Sequence, residues 1–433
     1  LVSSAHKWLL RIGVAVLVLF AAVMALLHFV PSDEELAARA AAELEAVLGV
    51  KVSVGALHWH LRPVPVVVME NIVIAQPQPI TFRQLTLFPD LGAALHRRIK
   101  LDNAELDGAV VPQLSLRGLG TQLKSPQNKS GFVPDELPLD RFVFRNVSWI
   151  SRRGIASIFD GELDFDPGWR PRTAELRRPE FKPLTSMALA RQGLADQWDV
   201  RIKLGGGTAD GTAQLQTQAN GQLHLSGKLK PHDVEVSSAL EAFNRRAPLA
   251  GKASGETTLS ADGESPSALA QSLQTKTSFV MGRSKLLRFD LDKAIKTAGK
   301  EHAGQTPLDG VTGRLETQNT ADGMVINFRD IHTTSGAFSA SGEARLFNRH
   351  INAEFAVDLV EGVVGVPLTV SGPVSNIKVS VPPGAVAGAV VGTAMLPGIG
   401  TAIGARIGAA VGKIFGSGTE PGKSAAPTSP KSR

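Results

Sequence analysis

"GMVINFRDIHTTSGAFSASGEARLFNRHINAEFAVDL" runs from Gly323 to Leu359 and carries one dominant rhythm. Met324, Ile326 and Phe328 flank Asn327 and Arg329. Phe338, Ala340 and Leu346 alternate with Ser339, Ser341, Glu343 and Arg345, and Ile351, Phe355 and Val357 alternate with Asn352, Glu354 and Asp358. Successive side chains of an extended strand point to opposite sides, so a period of two gives each strand one dry and one wet face. That is the pattern of an antiparallel sheet with one face in water.

The rhythm recurs on moving outward. Val200, Ile202 and Leu204 alternate with Asp199, Arg201 and Lys203, and Leu223, Leu225 and Leu229 alternate with Gln222, His224 and Lys228. Turn signals separate the strands, as in "ADGT", "ANGQ" and "ADGM". Helices are few. Ser32 and Glu35 form a capping box ahead of Leu36, Ala40, Leu44 and Val47, with Gly49 as the stop. "SPSALAQSLQ" opens with Ser265 as N-cap and Pro266 in the first helical position. "RFDLDKAIKTAG", ending at Gly299, and "PDLGAALHRR" are the other helical segments. "LKSPQNKSGFVPDELP" (Leu123–Pro138) and "PGWRPRTAELRRPEFKP" (Pro167–Pro183) read as loops that mark boundaries. Many two-faced strands in one chain close in one of two ways: as a sandwich or barrel whose dry faces bury each other, or as a long curved sheet whose dry face stays an open groove.

The two ends differ from the body. Ile12 to Val30 contains no Lys, Arg, Asp or Glu and is just long enough to cross a hydrocarbon core about 30 Å thick. Lys7 and Arg11 precede it and Asp33, Glu34 and Glu35 follow it, so the positive-inside rule puts the N-terminus in the cytoplasm and the body outside. A cleaved signal peptide is the rival reading, although the apolar run continues past the poor cleavage site at Val23-Met24-Ala25. Near the other end, Gly388 and Gly392 are four apart, as are Gly400, Gly404, Gly408 and Gly412. Glycine at every fourth residue gives a smooth helical face for close helix contact. Leu396-Pro397-Gly398 splits the run, which predicts a membrane-active helical hairpin over 383–416 with Arg406 and Lys413 reaching for phosphates. A flexible Gly/Ala linker is the alternative. Residues 417–433 read as a disordered basic tail.

Composition limits the chemistry. The 433 residues include no Cys, which excludes a disulfide framework, a thiolate metal site and a Cys nucleophile. A net charge of +6 favours anionic surfaces. No zinc-finger spacing, RNP-like aromatic motif or long Lys/Arg run points to nucleic acid. His58 and His60 fall on one side of a strand without a third ligand, "GGG" at Gly205–Gly207 lacks the Lys-Ser/Thr of a phosphate loop, and Asp164 and Asp166 share a strand face with no cleft indicated. No G-x-S-x-G elbow or H-E-x-x-H motif occurs. The expectation is a protein that is not an enzyme and holds no cofactor or metal, with Trp149, Trp169 and Trp198 serving packing or interface anchoring.

Three stretches carry a family resemblance. A membrane segment, an amphipathic helix and then "LGVKVSVGALHWHLRPVPVVVMENIVI" resemble the opening of AsmA-like envelope proteins. "GKASGETTLSADGESPSALAQSLQTKTSFVMGRSKLLRFDLDKAI" resembles the C-terminal module of that family, and "TADGMVINFRDIHTTSGAFSASGEARL" and "VPLTVSGPVSNIKVSVPP" continue it. The resemblance spans nearly the whole chain and is weakest between Lys124 and Gln197. It implies a single-pass inner-membrane protein of the two-membrane envelope, with its body in the periplasm, similar to larger bridge-like lipid transfer proteins. The implied fold is mainly β: an elongated, curved antiparallel β-sheet groove with a few short helices, one N-terminal transmembrane helix and a Gly-rich C-terminal hairpin. The implied organisation is a stub and span over 1–31, an amphipathic helix and first β region over 32–122, a middle β region with loops over 123–197, and a C-terminal β region over 198–382. The implied partner is phospholipid of the inner membrane and, at the far end of the path, of the outer membrane. The groove lining would be Val200, Ile202, Leu204, Leu223, Leu225, Leu229, Met324, Ile326, Phe328, Phe338, Leu346, Ile351, Phe355 and Val357. The alternative is a non-transporting scaffold that meets other envelope proteins and assists outer-membrane protein or lipopolysaccharide assembly, with these side chains simply core.

Overall fold

The computed structural model describes residues 32–60, 64–115, 133–152, 154–167, 170–264, 266–320, 322–336, 338–359 and 363–381. The expected membrane span, the glycine hairpin, the basic tail and Trp169 lie outside these residues. Among the described residues no helix is long and apolar enough to cross a membrane. The chain divides into two compact units, Leu1–Pro179 and Glu180–Arg433, and the division falls inside the Arg/Pro-rich stretch. Both are mainly β, with a large open antiparallel sheet and few short helices.

The first unit contains α1 (Asp33–Leu48), β1 (Val52–Ser53), β2 (Ala56–His60), β3 (Val66–Ile74), β4 (Ile80–Pro89), α2 (Leu91–Leu95), β5 (Arg98–Pro112), β6 (Val133–Ile150), β7 (Ala156–Asp166) and β8 (Arg170–Arg178). Ser32 caps α1 by accepting from the Glu35 N–H at 3.3 Å, and Gly49 ends it in the left-handed region at φ 68. β1 and β2 pair end to end against β3, and β3 to β8 then follow in chain order. The apolar stripe of α1 (Leu36, Ala37, Ala40, Leu44 and Leu48) packs on Val52, Leu57, Met69, Ile72, Ile74 and Ile80. Ile72 and Ile80 are left only 1% exposed.

Two loop expectations need correction. Val133–Pro138 belongs to β6, and Arg170–Arg178 is β8. β5 and β6 run parallel, and a parallel pair needs a long crossover, for which the twenty residues between Pro112 and Val133 are enough. The early prolines of β6 are tolerated because Pro134 pairs only with β5, while β7 joins from Arg141 onward. In β8, Leu163↔Ala174 and Gly161↔Leu176 continue the dry face despite Pro171.

The second unit contains β9 (Thr185–Arg191), β10 (Gln197–Leu204), β11 (Gly207–Thr217), β12 (Leu223–His232), β13 (Val234–Glu235), α3 (Val236–Glu241), β14 (Leu249–Ala250), β15 (Lys252–Gly263), α4 (Pro266–Ser272), β16 (Gln274–Met281), β17 (Ser284–Leu287), α5 (Leu291–Lys296), β18 (Gln305–Leu308), β19 (Gly310–Thr320), β20 (Gly323–Ser335), β21 (Phe338–Phe347), β22 (His350–Leu359), β23 (Val363–Pro373) and β24 (Lys378–Ser380). Antiparallel pairing runs β9–β10–β11–β12–β15–β16–β19–β20–β21–β22–β23–β24. β13 extends β12 against β15, and β14, β17 and β18 form a separate three-stranded sheet. Gly205 and Gly206, both at positive φ, make the two-residue turn between β10 and β11, so "GGG" is a hairpin. α5 ends at Lys296, before the expected Gly299, and α3 was not foreseen because six residues are too few to show a helical period.

Candidate functional site

Cross-strand partners share a face, so the register of the second unit can be read as rows. One row runs Leu229–Thr257–Thr277–Leu315–Phe328–Ala344–Ala353–Val370, from β12 to β23. Its neighbour runs Leu225–Ala261 on β12 and β15, then Leu259–Thr275–Thr317–Ile326–Leu346–Ile351 from β15 to β22. Val200, Ile202 and Leu204 on β10 meet Gly211, Ala209 and Gly207, and Gly211 meets Leu229, so β10 joins the same face. Followed through, the pairing puts all fourteen residues picked out for a groove on this one side of the sheet. The bulges at Arg314/Arg329 and Phe328/Ile331 preserve the side on which apolar residues stand.

Sequence alternation did not reveal that this face has two parts. At one end of the strands, Met281, Val311, Phe338, Ala340, Val357, Val366 and Leu368 pack with Phe289, Leu291, Ala294, Ile295 and Leu308 into a sealed cluster. α5 and the three-stranded sheet supply the cover: Leu291 and Ala294 from the helix, Leu249, Leu286 and Leu308 from the strands. Phe338 is 5% exposed and Val357 is 0% exposed, so these two face protein. Phe355 and Ile351 pack against the cluster from its margin. This corrects the expectation that all fourteen line open space. At the opposite end α4 packs on β15, where Ala261 and Leu269 are buried. Between these two ends, among the described residues, Ile202, Leu204, Leu223, Leu225, Leu229, Ile326, Phe328 and Leu346 are half-buried and outside the sealed cluster, and Met324 is half exposed. Val200 is buried.

This uncovered floor has few polar traps. Thr257 and Thr277 hydrogen-bond each other at 2.9 Å, and Thr275 and Thr317 do so at 2.7 Å, so these four hydroxyls have partners beside them. Glycines also sit opposite phenylalanines. Phe279 lies between Gly255 and Gly313, and Phe355 lies against Gly342. A Cβ on Gly342 would come within 2.4 Å of the Phe355 ring, so the ring occupies the space a side chain would need. In the first unit Phe144 covers Gly161 in the same way, with 2.2 Å between such a Cβ and the ring. Phe279 and Phe355 stand at the margin of the sealed cluster, and each of these rings takes the room beside a glycine.

The first unit repeats the design. Leu57–Met69–Leu85–Leu106–Phe144–Gly161–Leu176 and Trp59–Val67–Leu87–Ala104–Phe142–Leu163–Ala174 are rows of its dry face. α1 covers the β1–β4 end, while Leu106, Phe142, Phe144, Leu163 and Leu176 stay half-buried.

The opposite faces are wet and bridged by charge. Arg83 pairs with Asp107 and Arg141 with Glu162 in the first unit, and Arg314 with Asp330 in the second. Arg329 and Glu316 lie 3.3 Å apart, and His224 and Asp262 lie 2.6 Å apart. The Asp33 carboxylate accepts from His58 Nδ1 at 2.9 Å, and Asp164 accepts from the Thr173 hydroxyl at 2.6 Å. Among the described residues no group of three or more His, Asp or Glu is placed to hold a metal ion. Trp198 is buried and Trp149 half-buried on the dry faces.

Compared with known proteins, the chain matches no family model, no curated protein and no solved structure. The fold and the site define a class in chemical terms: units built on an open, mainly antiparallel sheet with one charged face and one partly covered apolar face.

Proposed function

We propose that this chain is an AsmA-like, inner-membrane-anchored periplasmic protein whose uncovered sheet floor takes up phospholipid acyl chains, in the service of outer-membrane and envelope homeostasis. The observation that carries the reading is the half-buried floor through Leu225, Leu229, Ile326, Phe328 and Leu346, over which the described residues lay no second sheet. Exposing an acyl chain to water costs about 0.8 kcal/mol per methylene, so a lipid leaving a bilayer needs a lining without gaps. A floor of Leu, Ile, Phe and Ala, with threonines that pair with each other, gives such a lining without strong binding points, which suits passage better than capture. The headgroup stays in water at the open side. No group on the floor does bond-making chemistry in this reading.

The test is local crosslinking in the intact chain. A photoreactive residue at Phe328 or Leu225 should give phospholipid adducts, identified by mass spectrometry after lipid extraction. The same group at Val357 should give none, because that side chain is sealed inside the buried cluster. Protein adducts at Phe328 and Leu225 in place of lipid would favour a scaffold for outer-membrane protein or lipopolysaccharide assembly.

A further inference from the structure

The turn between β4 and β5 in the first unit exposes an apolar tip beside adjacent arginines. Asp90 starts α2 by accepting from the N–H groups of Gly92 at 2.8 Å and Ala93 at 3.1 Å. The helix ends at His96, and Arg97 takes a left-handed conformation at φ 56. Leu91 is 47% exposed, Leu95 85% and Ile99 48%, at intervals of four residues. Arg97 and Arg98 stand exposed among them. Arg98 lies 3.4 Å from Asp135 and stays 58% exposed, whereas Lys100 is held by Asp140 at 3.1 Å and Asp90 at 3.8 Å. Among the described residues no carboxylate pairs with Arg97.

Single exposed leucines are ordinary, and Leu194, 96% exposed at the β9–β10 turn, is one. There the nearby Arg191 folds inward, donating to the carbonyls of Ala195 and Leu194 and pairing with Asp196 at 3.0 Å. The α2 tip differs in combining three large apolar side chains with two outward arginines. That is the chemistry of a surface that enters the boundary between headgroups and acyl chains, with guanidinium groups on lipid phosphates.

We propose that the α2 tip docks the first unit on an anionic phospholipid bilayer, with Leu91, Leu95 and Ile99 inserted and Arg97 and Arg98 on the phosphates. This requires a membrane partner but not lipid carriage along the sheet, so crosslinks on the floor and docking at the tip can fail separately.

The absence of cysteine makes the test clean. The full chain carrying Leu95→Cys, held in phosphatidylcholine nanodiscs, takes a single nitroxide, and Leu194→Cys serves as the control. On adding vesicles that contain phosphatidylglycerol, the label at position 95 should gain oxygen contact and lose contact with a water-soluble nickel chelate. The label at 194 should not. Vesicles of phosphatidylcholine alone should have little effect, and Arg97→Glu with Arg98→Glu should weaken the response about thirtyfold. If that double variant misfolds, salt decides with the arginines intact: high salt should release the label. A label at 95 that stays in water, that responds equally to neutral vesicles, that matches the label at 194, or that ignores both salt and charge reversal overturns the proposal.

Discussion

Ile326 and Val357 stand on the same face of the same sheet, on β20 and β22, and were indistinguishable by alternation. Val357 is fully closed off in the cluster that α5 and the three-stranded sheet complete, while Ile326 is half-buried outside that cluster. The difference lies in what the chain inserts between strands. Residues between β16 and β19 form β17, α5 and β18, which fold back over one end of the strands. The β15–β16 connection forms α4, which packs on β15 and whose Ala270 carbonyl accepts from the Asn319 side chain at the end of β19; among the described residues the stretch between these two insertions is left half-buried. Alternation therefore specifies which side is dry, and the insertions decide whether that side is core or surface.

The sharpest way to break this contrast is to put the same charge at both places. Val357→Asp buries an unpaired carboxylate among Phe338, Val366 and Leu368 and should cost about 4 kcal/mol or more, enough to unfold the second unit. Ile326→Asp can turn its charge to water and should cost about 1 kcal/mol, while removing lipid adducts from a crosslinker at Phe328. Urea unfolding of the two variants measures the gap. Equal losses of stability would mean that the floor is core after all.

The next largest effect tests the rings laid over glycine. A Cβ on Gly342 would also fall 2.2 Å from the Glu354 carbonyl oxygen, so both backbone and ring must move. Gly342→Ala should cost about 3 kcal/mol by overpacking. Gly282, which has nothing within 4 Å of its would-be Cβ, should accept alanine with little change in the unfolding midpoint. A harmless Gly342→Ala would show that the Phe355 ring is free to stand up.

Much of this was legible in the sequence, for reasons visible at particular residues. The period of two through Val200–Leu204, Leu223–Leu229 and Met324–Phe328 is local, and it fixed the dry face before any pairing was known. Ser32, Gly49 and Pro266 marked helix ends because caps are local too. The parallel β5–β6 pair was hidden, since direction depends on where a long crossover returns the chain. Pro134 and Pro171 made strands look like loops because their tolerance rests on which side is paired. The sealed end of the face escaped because Leu291, Ile295 and Leu308 meet Val357 only across long separations in sequence. The α2 tip was read as a helix, but the exposure of Leu95 is a property of the folded turn.

The cap itself hangs on a buried hydroxyl. Thr306 is 4% exposed; its hydroxyl accepts from the Leu291 N–H at 2.9 Å and donates to the Phe289 carbonyl at 2.8 Å. Thr306→Val keeps the shape and strands both backbone groups, which should cost about 2 kcal/mol. Hydrogen exchange should then rise in α5 before it rises in β20, if cap and floor are separable. Uniform loss of protection across the unit would mean that they unfold as one.

The smallest effect is electrostatic and confined to the same cap. Lys293 at the start of α5 holds Glu301 at 2.9 Å. The hydrogen bond from Lys293 keeps the Glu301 carboxyl below its ordinary value, and the same bond keeps the Lys293 ammonium above its own. Folded Glu301 binds its proton less readily than unfolded Glu301, so its contribution is complete above the ordinary 4.5 and disappears as pH falls through the lower folded value. Folded Lys293 holds its proton more tightly, so its contribution is complete below the ordinary 10.5 and disappears as pH climbs through the higher folded value. Both side chains are in water, which keeps the effect small. The Tm of the unaltered chain should therefore exceed that of Glu301→Gln by a small, flat margin between those limits, and the two curves should meet at the acid and alkaline ends. A margin that grew toward acid pH would mean that this pair does not tether the cap, and the sealed end would then rest on its apolar contacts and Thr306 alone.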